Sequence, residues 1–231
     1  MSEYQYYEFL AIDRPLDRAA QEVLRSISSR ARITATSFTN HYEWGDLKGD
    51  PRQFVEQWFD LHLYLANWGA RRLMMRLPSR LLDGGKLTAF LSEVDWVEVW
   101  QSDENLVVDI APDALEAAEG WDDGSGWLAE LAPLRADVLS GDLRLFYLLW
   151  LMAVQDQLVA DHELEPLSGI GPLTGPLEAF AAFFDIDPDL LKAAAELSGD
   201  AVGASRDELR ETVAALPNDE MIELLLRVVD G

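Results

Sequence analysis

Cysteine is absent from the 231 residues. A disulfide scaffold, a thiolate zinc site and a cysteine nucleophile are therefore excluded. Histidine is nearly absent: His41, His62 and His162 are the whole supply, and histidine-based chemistry is thinly provided. Lysine is scarce, with only Lys48, Lys86 and Lys192. Long apolar runs are missing too. The longest, 145–154, has ten residues, whereas a membrane span needs about twenty. Met1-Ser2-Glu3-Tyr4 is polar and acidic, without the basic and apolar regions of a secretory signal. The expectation is a cytoplasmic protein with no membrane attachment.

What is present is an ordinary globular balance, 49% apolar and 26% charged, enough to bury a sizeable core. Acidic residues outnumber basic ones by 42 to 18, a net charge of −24. The imbalance is uneven. Residues 1–112 hold 12 basic and 17 acidic side chains, net −5, and residues 113–231 hold 6 and 25, net −19. A break halfway along the chain predicts two units with different surfaces. The second half should repel nucleic acid and anionic membranes and attract a basic partner protein. The plainer reading of the same acidity is a solubilising surface.

The first half reads as mixed strand and helix. Aromatic and aliphatic residues on both faces of 4–12 suit a strand covered on both sides. Asp17 is placed to cap a helix over 18–28, with Ala20, Val23, Leu24 and Ile27 on its apolar face. Residues 33–44 form a second extended stretch. Asp50 and Pro51 open a short helix to about residue 59. Residues 61–67 and 71–77 read as a hairpin turning at Trp68-Gly69-Ala70, and 96–100 and 106–110 as another. A helix interrupted by Gly84-Gly85 is expected over 79–92. In the second half the period becomes helical: 114–118, 127–139 with a split at Pro133, 143–158 as the most buried helix, then 177–184, 188–198, 205–215 and 218–229. The fold class is α+β. A mixed sheet-and-helix domain over 1–112, ferredoxin-like in its simplest connectivity, is followed by an all-helical acidic domain over 113–231.

Most motifs weaken on inspection. Asp185, Asp187, Asp189 and Glu196 have calcium-loop spacing, but Leu190 stands where the loop needs glycine. Asp187 capping a helix that starts at Pro188 is the better reading. Gly169 to Gly175 is glycine-rich without dinucleotide spacing, and Pro172 removes a donor that a phosphate would use. Ser125 lies between glycines but outside a nucleophile-elbow context. His41, Asp60 and His62 are the weak candidates for a two-histidine, one-carboxylate metal site. Strand aromatics with Arg30, Arg32, Arg71, Arg72 and Arg76 have the composition of a base-stacking surface, although packing is their commoner use. Polar and aromatic residues gathered at predicted turns mark Trp44, Asp46, Lys48, Asn67, Trp68 and Arg71 as candidate binding residues.

Tyr6-Tyr7-Glu8-Phe9-Leu10-Ala11-Ile12-Asp13-Arg14-Pro15-Leu16, Trp44-Gly45-Asp46-Leu47-Lys48-Gly49-Asp50 and Tyr64-Leu65-Ala66-Asn67-Trp68-Gly69 resemble a family of bacterial proteins with no assigned activity. Gly126-Trp127-Leu128, Gly141-Asp142-Leu143-Arg144 and the closing Leu216-Pro217 and Val229-Asp230-Gly231 fit the same pattern. The resemblance implies no cofactor or catalytic residue. Members of that family extend further at the C-terminus, so it also implies a shorter relative or a fragment.

The leading functional expectation is a non-catalytic interaction or regulatory protein. It has no cofactor and docks a partner protein of basic surface through its acidic helical half. The alternatives are a metal-dependent hydrolase centred on His41, Asp60 and His62, and an inhibitor that mimics nucleic acid.

Overall fold

The computed structural model describes residues 3–82, 91, 94–115, 122–158 and 170–197. Its strands are β1 Gln5–Leu10, β2 Arg32–Ile33, β3 Ser37–Tyr42, β4 Leu61–Ala66, β5 Arg71–Pro78, β6 Val97–Ser102 and β7 Asn105–Ile110. They form one antiparallel sheet in the order β2-β3-β1-β4-β5-β7-β6. The α+β class is thus observed.

Side-chain alternation divides the sheet into two buried faces. Tyr7 and Phe9 of β1, Phe38 of β3, Met74 of β5 and Val107 of β7 share one cluster. Two helices cover it: α1 Arg18–Ile27 and α2 Pro51–Gln57. Both start as their sequences dictate. The Asp17 carboxylate accepts from the Ala20 amide at 2.7 Å, and Asp50 caps α2 ahead of Pro51. Val23 departs from expectation, because it faces outward and is 46% exposed. The helix rests on Ala20, Leu24 and Ile27 instead.

The opposite face offers Leu61, Leu63 and Leu65 of β4, Leu73, Met75 and Leu77 of β5, and Val108 and Ile110 of β7. Against it lie α3 Trp127–Leu131, α4 Pro133–Leu139, α5 Arg144–Gln155, α6 Gly175–Phe183 and α7 Pro188–Leu197. Pro133 separates α3 from α4 by occupying the first turn of the second helix. Eight of the twelve residues of α5 are buried, as an all-round apolar helix requires. Asp187 accepts from the Asp189 amide at 2.7 Å where α7 begins, the arrangement expected of a cap.

The first four strands and two helices run β1-α1-β2-β3-α2-β4 in the sheet order β2-β3-β1-β4, so β3 is inserted between β1 and β2, Phe9 opposite Phe38, and β1 lies between β3 and β4. This strand order is that of the ferredoxin-like connectivity expected, with β5, β7 and β6 added beyond β4. The described helices after residue 112 share one apolar cluster with the sheet. Gly124 lies so close to the Tyr6 ring that a Cβ there would come within 2.5 Å of it. The break in charge at residue 112 therefore does not coincide with a break in the core. The helices expected over 205–215 and 218–229, and most of 79–92 and 114–118, lie outside the described residues.

Candidate functional site

The six residues drawn from predicted turns come to one end of the sheet, beside the start of β1: five in two loops and Arg71 as the first residue of β5. The Gln5 amide donates to the Asp46 carboxylate at 2.7 Å and to the Gly45 carbonyl at 3.2 Å, pinning the loop after β3. Leu47 is buried under that loop, and Trp44 and Lys48 point outward. Asn67 accepts from the Tyr4 amide at 3.0 Å in the β4–β5 turn, and Trp68 is partly exposed there. Arg71 turns towards the helical layer. Its guanidinium donates to the Phe183 carbonyl and lies over the Phe183 ring, 5.3 Å from the centroid. It secures the end of α6.

His41, Asp60 and His62 are not brought together. His41 is exposed on β3 and stacks on Tyr4. His62 is fully buried on β4 against Phe9. Asp60 faces the other end of the sheet. Its carboxylate accepts from the Ile12 and Asp13 amides at 2.6 and 2.9 Å and from Arg76 at 2.8 and 3.1 Å. Buried Arg135 of α4 extends this network, with paired bonds to Asp13 at 2.9 and 2.6 Å and one to the Arg76 carbonyl. Such a satisfied charge cluster locks a helix to a sheet. Among the described residues, no group of three histidine or acidic side chains is placed to hold a metal ion.

Trp100 marks a second polar cluster. Asp109 accepts from Arg72 at 2.7 and 2.6 Å and from Arg52 at 2.9 Å. Arg52 also meets Glu98 and lies over the Trp100 ring, whose Nε1 donates to Glu56. The charged and aromatic groups that line the groove here, Asp50, Arg52, Glu56, Glu98 and Trp100, already have partners.

A third place is different. The segments before β6 and after β7 meet the end of α5 in a groove of about 320 Å³. Asp95, Asp113 and Asp156 line it, with Trp96, Met152, Leu158 and Phe184 as apolar wall. None of the three carboxylates forms an ion pair among the described residues. Burial and then the charge of Asp113 raise the pKa of Asp156 above the usual carboxylate range. Asp113 and Asp156 thus repel one another, and among the described residues that line the groove there is no cation. Leu158 on its wall is 44% exposed. The three aspartates come from three distant parts of the chain, so no spacing in the sequence announces them.

The groove lies on the acidic side of the molecule. Across 122–158 and 170–197 the sequence carries eleven carboxylates and three cations. Of those cations, Arg135 is buried and Arg144 is bonded to Asp142, which leaves Lys192 on the surface beside Glu196. Residues 3–82, by contrast, carry eleven cations and ten carboxylates. No helix among the described residues is long and apolar enough to cross a membrane. In comparisons with known proteins, no family model, curated protein or solved structure matches the chain.

Proposed function

We propose that the protein is a non-catalytic interaction module that docks a basic segment of another protein on its acidic helical half. The observation that carries this reading is the groove at Asp95, Asp113 and Asp156. Three uncompensated carboxylates beside an apolar wall suit one kind of occupant, a lysine or arginine side chain. Its aliphatic stem lies along Trp96, Met152 and Phe184 while its head enters the carboxylates. A cation there also relieves the repulsion between Asp113 and Asp156. The surrounding carboxylates of α3 to α7 steer a basic partner towards this face and disfavour nucleic acid.

The test is affinity for a lysine-rich and arginine-rich peptide across a salt series, for the native chain and for a chain carrying Asp113→Asn with Asp156→Asn. Tight binding at low salt, falling steeply as salt rises, is expected, together with a loss of about tenfold or more in the double variant. Affinity that ignores both salt and the two substitutions overturns the proposal.

A further inference from the structure

Five arginines in the first half have the composition of a basic patch: Arg30, Arg32, Arg71, Arg72 and Arg76. The fold consumes three of them. Arg71 is bonded to the end of α6, Arg72 to Asp109 and Arg76 to Asp60. Arg30 and Arg32 are both exposed, and neither forms an ion pair among the described residues. Arg32 acts on half-buried Glu8 only from a distance, lowering a carboxyl that burial raises. In a chain of net charge −24, two neighbouring guanidinium groups without carboxylate partners are a local reversal that the fold does not use.

They face a groove. β2 pairs only with Phe38 and Thr39, so β3 forms the rim of the sheet from Asn40 onward. At that rim Arg30, Arg32, Thr39, His41, Glu43 and Trp44 line a groove of about 520 Å³. Trp44 is 81% exposed, the most exposed large apolar side chain among the described residues. It is nevertheless not on a loose loop. The bonds from Gln5 to Gly45 and Asp46 fix the next two residues, and Leu47 is buried just beyond. An indole held out into water beside two unpaired guanidinium groups costs hydration free energy that a ligand recovers.

We propose that this groove binds a nucleoside phosphate, with the base stacked on Trp44 and the phosphate held by Arg30 and Arg32. Each partner supplies what the other lacks. Guanidinium groups bond phosphate oxygens in a paired geometry that lysine does not offer. An exposed indole stacks a base without regard to its sequence. The Thr39 hydroxyl and the Glu43 carboxylate are placed to bond the sugar or the edge of the base, and the volume suits one nucleotide. The groove at Trp100 is a contrast within the same molecule. There the arginine already holds two carboxylates and the indole has its acceptor, so no demand for a ligand remains.

The proposal stands apart from the acidic docking groove, since none of its residues lies there. The experiment is calorimetric titration of the full chain with adenosine monophosphate, adenosine, inorganic phosphate and a ten-nucleotide single strand. The monophosphate is expected to bind at one saturable site, with adenosine and phosphate each at least about tenfold weaker. Arg32→Ala and Trp44→Ala remove exposed side chains and should leave the melting temperature unchanged. Arg32→Ala should weaken the monophosphate by about tenfold or more, and Trp44→Ala should abolish the advantage of monophosphate over phosphate. No saturable binding up to millimolar monophosphate, or unchanged affinity in both variants, overturns the proposal. A strand that binds far more tightly than the monophosphate overturns the ligand class.

Discussion

His62 is a buried base with half of its hydrogen-bonding capacity unmet. Its Nδ1 lies 3.0 Å from the Glu8 carbonyl, which makes that nitrogen the donor of a neutral ring. Phe9 stacks on it with centroids 4.0 Å apart, and Nε2 has no hydrogen-bond partner among the described residues. Burial lowers its pKa from 6.5 to about 3, against the opposing pull of the Glu8 carbonyl and with some help from the charge of Arg72. Between those two values the unfolded chain binds a proton that the folded chain refuses. The contribution of this site is therefore complete above about pH 6.5 and is lost as pH falls towards 3, by up to about 1.4 kcal/mol per pH unit. His62→Phe should flatten this part of the acid limb in urea titrations between pH 6.5 and 4. An unchanged slope would mean that the proton is taken up elsewhere. Sequence spacing put Asp60 and His62 together because they are two apart. It had no means of showing that Arg76 and Arg135 claim the first and an aromatic core claims the second.

At the scale of elements, local chemistry was legible wherever it acts locally. The caps at Asp17 and Asp50, the split at Pro133 and the two hairpins follow from a few neighbouring residues each. Two details did not. The break between β2 and β3 depends on a bond between the Thr34 and Ser37 hydroxyls and on the Thr34 amide reaching the Ser37 carbonyl. The outward turn of Val23 depends on which side of α1 the sheet lies. The β4–β5 turn shows local and distant demands meeting at one residue. Gly69 has a φ of +93°, a region that side chains rarely enter, and its amide donates to the Ala66 carbonyl. Its own carbonyl accepts from the Leu115 amide, and a Cβ there would stand 1.9 Å from the Leu115 carbonyl oxygen. Gly69→Ala should cost about 1–3 kcal/mol in chemical denaturation. A neutral result would show that the segment at Leu115 yields readily and does not clamp the hairpin.

Across the whole molecule, composition and packing divide the chain differently. The change in charge near residue 112 is real in the sequence, yet charge belongs to the outer surface and says nothing about what lies beneath. The apolar residues of α3 to α6 are spaced for helices in any setting. Nothing in them states that Leu61, Leu63 and Leu73 of the sheet are their partners, because those contacts join residues far apart in the chain. The carboxylates are thus displayed on a layer that completes the core of the sheet, which holds the Asp95, Asp113 and Asp156 groove in shape across the seam. Phe180 tests this. It is fully buried in α6, packs on Phe184 with centroids 4.8 Å apart, and belongs to the same cluster as the sheet leucines. Phe180→Ala should cost about 3–5 kcal/mol. The loss should appear as one transition, with far-ultraviolet circular dichroism and tryptophan fluorescence moving to the same lower midpoint. If the helical signal shifts while the β4–β5 amides keep their protection from hydrogen exchange, the two layers fold separately. The groove between them would then be only a contact between independent units, too loosely held to keep Asp113 and Asp156 beside one apolar wall.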